Sequence, residues 1–269
     1  MPVISSSYTR LTAVHPALRV TVAAPRSGGG WVAAHDLARG GAAVDAFVAW
    51  DAAQVVRDHG RPPRSDVAAT LGLHRYLWPA CLLFTVPWFL RRRVPRLPVT
   101  DVSFHRAAGR MTVRPASFCC LPDDPAARLP GARTVPTEAA LREELRAALA
   151  EHAAPVLEAF RPLVRRGPRA LWGMATDEVT EGLWYVGRLL GEEPRAVAEL
   201  AALLPGDTAP YAGGAGFRPP GPPAATGCDD PSRSRLTCCL FYTVSPGGGC
   251  TGCPRALPAA RIGGRASAA

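Results

Sequence analysis

Apolar residues recur at helical spacing along much of the chain. The spacing predicts a helix over residues 41–60, and Ser65 is placed to cap a second helix. That second helix runs on into the apolar stretch 77–90, LWPACLLFTVPWFL. Pro79 and Pro87 interrupt this stretch, which is also too short to span a bilayer. We therefore expect a buried helix and turn there.

A further helical block lies between residues 137 and 205. Thr137 is the predicted N-cap of a helix with an apolar inward face, and Pro155 is expected to kink or split that helix. A second helix is predicted over about 169–190, and Pro194 opens a third. These helices are expected to pack directly on one another.

The clearest strand pattern covers residues 99–113, VTDVSFHRAAGRMTV. Valine and threonine alternate with polar residues on both sides of Gly109, which predicts two short strands around a turn. Residues 1–40 give a weak pattern, and we expect a loosely packed N-terminal segment. Residues 205–227 are dense in glycine and proline, which predicts a linker or an extended arm. The predicted class is α+β and mainly helical, with a small β-hairpin or sheet and a C-terminal cysteine-rich lobe.

Composition narrows the class of protein further. With 269 residues, 48% of them hydrophobic and 20% charged, the chain can bury a substantial core. The net charge is +9, and every one of its 31 basic residues is arginine, which excludes chemistry that needs a lysine amine. The arginines are scattered and form no stripe interleaved with aromatic residues, so a nucleic-acid partner is not predicted.

The start of the chain bears on the expected compartment. Residues 1–10 are polar and lack the apolar core of a secretory signal, so we predict a cytoplasmic protein. Peripheral contact with a membrane surface, helped by Arg91, Arg92 and Arg93, is the alternative that the charge pattern allows. In a reducing compartment, clustered cysteines are more often metal ligands than disulfides.

Four of the eight cysteines fall within sixteen residues and define the candidate chemistry. Cys238, Cys239, Cys250 and Cys253 follow the pattern C-C-x10-C-x2-C in TCCLFYTVSPGGGCTGC. Adjacent cysteines cannot easily chelate one ion, because neighbouring side chains diverge, but they can reach two metal atoms. The spacing therefore favours a [2Fe–2S] cluster held by four thiolates over a mononuclear zinc site. Between the pairs, residues 240–244 (LFYTV) are predicted to form an apolar, strand-like arm.

The motif also divides the chain. A mainly helical body is predicted over 1–227, followed by a C-terminal [2Fe–2S]-binding segment over 228–262. The alternative to an iron–sulfur protein is a non-catalytic module in which four cysteines hold a structural zinc. The remaining thiols are expected to be structural or incidental: Cys228 in a surface loop, and Cys81, Cys119 and Cys120 in the core.

The cysteine spacing resembles that of the FhuF family of ferric-siderophore reductases. The helical stretch RALWGMATDEVTEGLWYVGRLLG at 169–191 also resembles actinobacterial members of that group, and the resemblance covers about residues 65–255. It implies a protein that passes one electron from a [2Fe–2S] cluster to Fe(III) in an imported siderophore. It further implies that Cys238, Cys239, Cys250 and Cys253 are the cluster ligands.

The same resemblance sets the expected partners. The substrate is a ferric siderophore, reduced in the cytoplasm so that Fe(II) is released. The chain has no G-x-G-x-x-G after a strand and no Walker loop, so electrons are expected from an external donor such as a ferredoxin, a flavodoxin-like protein or a reductase. We expect the substrate cleft between the cysteine-rich lobe and the helical block. The arginines that could hold an anionic ferric chelate there are Arg165, Arg166, Arg169 and Arg255.

Overall fold

Helices make up most of the residues that the computed structural model describes, which are 2–218, 232–245 and 253–255. The mainly helical α+β class predicted from the sequence is confirmed. The helices are α1 (Pro2–Val14), α2 (Ala34–Arg39), α3 (Ala42–His59), α4 (Ser65–Arg91), α5 (Glu138–Val164), α6 (Pro168–Leu189) and α7 (Glu193–Leu203).

Three small sheets accompany the helices. The first has strand order β1-β5-β4-β2, the second β3-β6-β7, and the third is the pair β8-β9. The strands are β1 (Arg19–Val22), β2 (Trp31–Ala33), β3 (Val94–Arg96), β4 (Val102–His105), β5 (Arg110–Val113), β6 (Ser117–Cys120), β7 (Ala132–Thr134), β8 (Phe217–Arg218) and β9 (Ser232–Arg233).

The predicted hairpin is confirmed as the antiparallel pair β4–β5. Phe104 lies opposite Met111 in its register. Gly109 turns the chain with φ +58°, and a Cβ there would lie 2.0 Å from the carbonyl oxygen of Ala17. Glycine is therefore required at this turn by both its backbone conformation and its close approach to the N-terminal part of the chain.

Helix α4 is the centre of the molecule, and the turn expected within 77–90 is wrong. The helix continues through Pro79 and Pro87 to Arg91. Pro87 has no N–H to donate to the Leu83 carbonyl, and the Tyr8 hydroxyl of α1 donates to that carbonyl at 2.8 Å instead. α4 is apolar on all sides because α1, α3, α5 and α6 surround it.

The predicted helix caps and proline breaks are confirmed only in part. Ser65 is the first helical residue of α4 and not its cap, since Arg64 occupies the N-cap position. Thr137 does cap α5, accepting a hydrogen bond from the Ala140 N–H at 3.1 Å. The expected split at Pro155 is wrong, because α5 continues through it to Val164. Packing of its apolar face on α4 offsets the cost of an internal proline.

Two segments expected to be loose are packed. In the N-terminal segment, α1 buries Ile4, Tyr8 and Leu11, and β1 pairs in parallel with β5. In the glycine- and proline-rich segment, Tyr211 is buried and its hydroxyl donates to the Arg146 carbonyl at 2.8 Å. Residues 205–218 therefore belong to the body. The rest of that predicted linker, and the predicted boundary at 227/228, lie outside the described residues.

The buried apolar side chains form one large core around α4 and a much smaller separate cluster. The small cluster joins Val55 of α3 with Val67 and Leu71 of α4, and Val244 from the cysteine-bearing segment completes it. Within the described parts of the chain, no helix is both long enough and apolar enough to cross a membrane.

Candidate metal centre

A buried carboxylate on α6 fixes the segment that carries the first two cysteines. Asp177 is fully buried and accepts the backbone N–H groups of Leu236 at 2.9 Å and Thr237 at 2.8 Å. The Thr237 hydroxyl donates to the same carboxylate at 2.9 Å, and Arg233 donates to it at 2.7 Å. The Asp177 carboxylate thus accepts four hydrogen bonds from residues that lie just before Cys238 in the chain.

Two more acidic residues of α6 complete this docking. Arg233 also pairs with Glu181, and Arg235 donates to Glu178 at 2.8 Å. Glu178 is fully buried and receives a second contact, at 2.5 Å, from Nδ1 of His74 on α4. The two arginines and their acidic partners therefore hold residues 233–237 against the helical body.

The role of these acids was missed by the sequence analysis. Asp177, Glu178 and Glu181 occur in the stretch TDEVTEG, where charged residues are usually exposed. One signal in the sequence could have indicated this role. The stretch SRSRLTCC has two arginines, alternating with serines, that can pair with the acids. A close approach also marks the docking, since a Cβ on Gly173 would lie 2.9 Å from Cγ2 of Thr237.

The adjacent cysteines lie in a tight turn and not before a strand. The backbone N–H of Leu240 donates to Sγ of Cys238 at 3.4 Å, and Leu240 has a left-handed backbone with φ 62°. Residues Phe241–Thr243 form a 3-10 turn, so the expected strand-like arm is wrong. Cys239 is 7% exposed and Cys238 is half-buried. An N–H aimed at a sulfur stabilises its thiolate form, which is the form that binds metal.

Apolar contacts hold the far side of this turn on α3 and α4. Leu240 and Phe241 pack against the small cluster of Val55, Val67, Leu71 and Val244. The ring of Phe241 meets that of His59 edge-on at 5.5 Å. Arg61 donates to the Thr243 carbonyl at 3.0 Å, so the turn is fixed at both ends.

Cys253 and Arg166 both contribute to the electrostatics of the Cys238 thiol. Burial raises the pKa of the Cys238 thiol, and the nearby thiols of Cys239 and Cys253 raise it further. The Leu240 N–H and the Arg166 guanidinium act on this pKa in the opposite direction. Arg166 also donates to the Cys238 carbonyl at 2.7 Å, which ties the cysteine turn to the start of α6.

The donor set fits a sulfur-ligated metal. The six cysteines that the structure describes are thiols, with none of them in a disulfide. Cys238, Cys239 and Cys253 are among these six, whereas Cys250, like Cys228, lies outside the described residues. Among the described residues, no three potential ligands are close enough to form a metal site by themselves.

The other predicted structural thiols are buried as expected. Cys81 lies in α4, and Cys119 and Cys120 lie in β6, all within the main core. The thiol of Cys119 donates to Glu144 at 3.6 Å, and burial raises the pKa of all three thiols. All three lie within the main core, whereas the cysteine-bearing segment contributes Val244 to the small separate cluster.

A cleft opens where the cysteine-bearing segment meets the helical body. It has a volume of about 420 Å³, and its lining includes His74, Arg75, Trp78, Glu181 and Arg235. Burial lowers the pKa of Arg235, but Glu178, Asp177, Glu181 and the Cys239 thiol together raise it above the ordinary value. Arg235 thus belongs both to the lining of this cleft and to the cysteine-bearing segment. A larger cavity of about 630 Å³ is lined by other residues, among them Trp31, Trp50 and Arg106.

None of the four arginines singled out from the sequence lines this cleft, and three of them, Arg166, Arg169 and Arg255, contact the cysteine-bearing segment or line a hollow with it. Arg166 bonds to the Cys238 carbonyl, and the Arg255 guanidinium lies 4.7 Å from the ring centre of Tyr242. Arg169 lines a shallow hollow together with Leu236 and Thr237. Arg165 follows α5 directly and is exposed.

Comparison with known proteins adds no family assignment to this geometry. No protein-family model matches the chain, and no curated protein matches it. The resemblance to ferric-siderophore reductases therefore stays a prediction from the cysteine spacing and the α6 sequence.

Proposed function

We propose that this protein is a [2Fe–2S] protein that reduces siderophore-bound Fe(III) by one electron and so releases Fe(II). Cys238, Cys239, Cys250 and Cys253 would be the ligands. When bound, the cluster supplies a one-electron redox centre. Fe(II) binds hard oxygen donors more weakly than Fe(III), so the reduced metal leaves the chelate.

The docking of the cysteine turn is the observation that carries this proposal. Buried carboxylates of α6 fix residues 233–237, and the Leu240 N–H donates to Cys238 Sγ at 3.4 Å. A redox protein needs its ligands on a rigid element, because movement of the ligands on electron transfer raises the barrier to it. The half-buried position of Cys238 also leaves the site near the surface, within reach of electron partners.

The cleft beside Arg235 is the proposed site for the ferric chelate. Trp78 offers an aromatic wall, and it packs edge-on with His15 and Tyr185 at 5.6 and 5.7 Å. Arg75 and Arg235, which also pair with Asp51 and Glu178, line the cleft and would bring guanidinium groups to oxygen donors of the chelate. Arg235 and Cys239 are four residues apart, so their Cα atoms are separated by at most about 14 Å. The lining of the cleft therefore includes a residue close in the chain to the cysteines that would hold the cluster.

The test is spectroscopic and begins with anaerobically purified protein. We expect a reddish-brown protein that is EPR-silent, and that shows a rhombic S = 1/2 signal after reduction with dithionite. Adding a ferric siderophore should then restore the oxidised visible spectrum, while a ferrous-iron chelator records the released metal. A colourless protein that carries one zinc would contradict the proposal and would favour the structural zinc module.

Matched cysteine variants connect the signal to the predicted ligands. Cys239→Ser should remove the colour and the reduction of the chelate, because serine is a poor ligand for this cluster. Cys119→Ser is the control, since it removes one member of the other adjacent cysteine pair and keeps a donor toward Glu144. A Cys239→Ser protein with an unchanged spectrum would show that the ligands lie elsewhere.

A further inference from the structure

Six arginines lie on three separate segments that contact the cysteine turn. They form the arginine rim: Arg61, Arg64, Arg165, Arg166, Arg169 and Arg255. The three segments, 61–66, 165–169 and 253–255, contain a single acidic residue, Asp66. Arg64 pairs with Asp66 at 2.5 Å, and a second acid, Asp58, is exposed just before the first segment. This face is therefore strongly positive.

The structure places the rim directly against the cysteine-bearing segment. Arg61 and Arg166 each donate to a backbone carbonyl of that segment, at 3.0 and 2.7 Å. Arg255 stacks on Tyr242. The bond to Asp66 and its charge raise the pKa of Arg64, and Tyr242 is close enough to contribute. A ligand that covered this rim would also cover the cysteine turn.

Exposed apolar side chains lie among these charges. Leu236 is 42% exposed and Tyr242 is 38% exposed, although both belong to the segment that carries the cysteines. Val56 of α3 is 43% exposed, next to the Val55 that packs under the turn. Tyrosine and arginine around a few exposed apolar residues are typical of protein interfaces.

The distribution of the arginines argues against a small anion as the ligand. The hollow beside Arg169, about 470 Å³ in volume, has no second cation in its lining. Arg61, Arg166 and Arg255 are instead engaged singly along the rim. A small anion is held by two or more converging donors, whereas a rim of separated cations fits a broad negative surface.

We propose that the arginine rim is the docking surface for an acidic redox protein that delivers electrons to the cysteine turn. The proposal rests on the reductase function proposed above, because only a redox centre needs such a donor. Charge complementarity would steer the donor to this face, and the net charge of +9 adds to the attraction. The apolar side chains would then form the centre of a short-lived complex.

The test compares two triple variants that lower the net charge equally. The rim variant is Arg64→Gln, Arg169→Gln, Arg255→Gln, and the control is Arg10→Gln, Arg110→Gln, Arg128→Gln, which changes exposed arginines of α1, β5 and a loop. Electron transfer from pre-reduced acidic plant-type ferredoxin to the loaded protein is followed by rapid-freeze-quench EPR, because the ferredoxin regains the colour that the loaded protein loses. The rim variant should be reduced about tenfold or more slowly than wild type at low ionic strength, with a weaker dependence on salt.

The control variant and a second reductant show which results would overturn the proposed docking surface. An uncharged photoreduced deazaflavin should reduce all three proteins at the same rate. Equal slowing of both triple variants by ferredoxin would overturn the rim, because total charge alone would then explain the effect. Slowing of the rim variant by the deazaflavin as well would also overturn it, since the substitutions would have altered the redox centre.

A binding measurement separates this proposal from the reductase function. Titration calorimetry with oxidised ferredoxin needs no electron transfer and works on protein with or without a cluster. Binding that is lost in the rim variant but kept in the control supports the docking surface, even if the protein proves colourless. Equal or tighter binding of duplex DNA or of anionic lipid vesicles would overturn the choice of an acidic protein.

Discussion

His152 is held between two hydrogen-bond partners at the centre of the core. Its Nε2 contacts the Tyr76 hydroxyl at 2.9 Å and its Nδ1 contacts the Leu97 carbonyl at 2.8 Å. Burial lowers the pKa of His152 to about 4. A histidine with both nitrogens engaged and a low pKa is neutral at physiological pH, which suits a structural role and not proton transfer.

This low pKa predicts a loss of stability in mild acid. The unfolded chain takes up the proton near pH 6.5 while the folded protein resists it, so unfolding is favoured as pH falls from about 6.5 to 4. The difference corresponds to about 3 kcal/mol in the free energy of unfolding. In His152→Gln, the amide can serve both partners without titrating. Urea unfolding at pH 7.5 and pH 5 should show a smaller acid loss in the variant, and equal losses would contradict the assignment.

At the scale of elements, the docking of residues 233–237 depends on one buried carboxylate. Asp177→Asn replaces an acceptor oxygen with an NH₂ group that must face donors from Arg233, Leu236 or Thr237. Removing a buried charge partner costs about 3 kcal/mol or more. Trypsin should then cleave after Arg233 and Arg235 about a hundredfold faster, because the segment opens more often.

An exposed ion pair supplies the control for this docking experiment. Glu158 and Arg161 pair on the outer face of α5 at 2.6 Å, with both side chains largely exposed. Glu158→Gln should leave the trypsin cleavage after Arg233 and Arg235 unchanged. If Asp177→Asn behaved like this control, the cysteine-bearing segment would be held by its apolar contacts and not by α6.

The elements that could be predicted are those whose signal is local. The helix over 42–59, the cap at Thr137 and the β4–β5 hairpin depend on neighbouring residues, and the sequence shows them directly. The continuity of α4 through Pro87 depends on Tyr8, a residue far away in the chain. Local propensity cannot register such a partner, which is why a turn was expected there.

The same distinction between local signals and distant contacts applies to the candidate site. The spacing alone predicts that Cys238 and Cys239 lie together. It does not predict which residues hold them in place. Asp177 and Glu178 resemble solvent-facing helix residues until the arginines of a distant segment are brought to them. Buried charges of this kind are specified by tertiary pairing, so a pattern along one helix cannot reveal them.

At the scale of the whole molecule, the cysteine-bearing segment is an attachment to a core that does not need it. The large core around α4 is built from the helices and sheets of residues 2–218, while Val244 joins only the small separate cluster. Small zinc modules have the opposite design, because they unfold when the metal is removed.

Metal removal should therefore leave the helical body folded. After a strong chelator and a reductant have stripped the purified protein, far-UV circular dichroism should retain nearly all of its helical signal, and the main thermal transition should shift by only a few degrees. Trypsin cleavage after Arg233 should change more than the helicity, because the loss of thiolate ligation loosens the turn next to it. Collapse of the helical signal on chelation would mean that the metal stabilises the whole fold. The site would then act as a structural metal module, and the separation of core and cysteine segment would have no role in electron transfer.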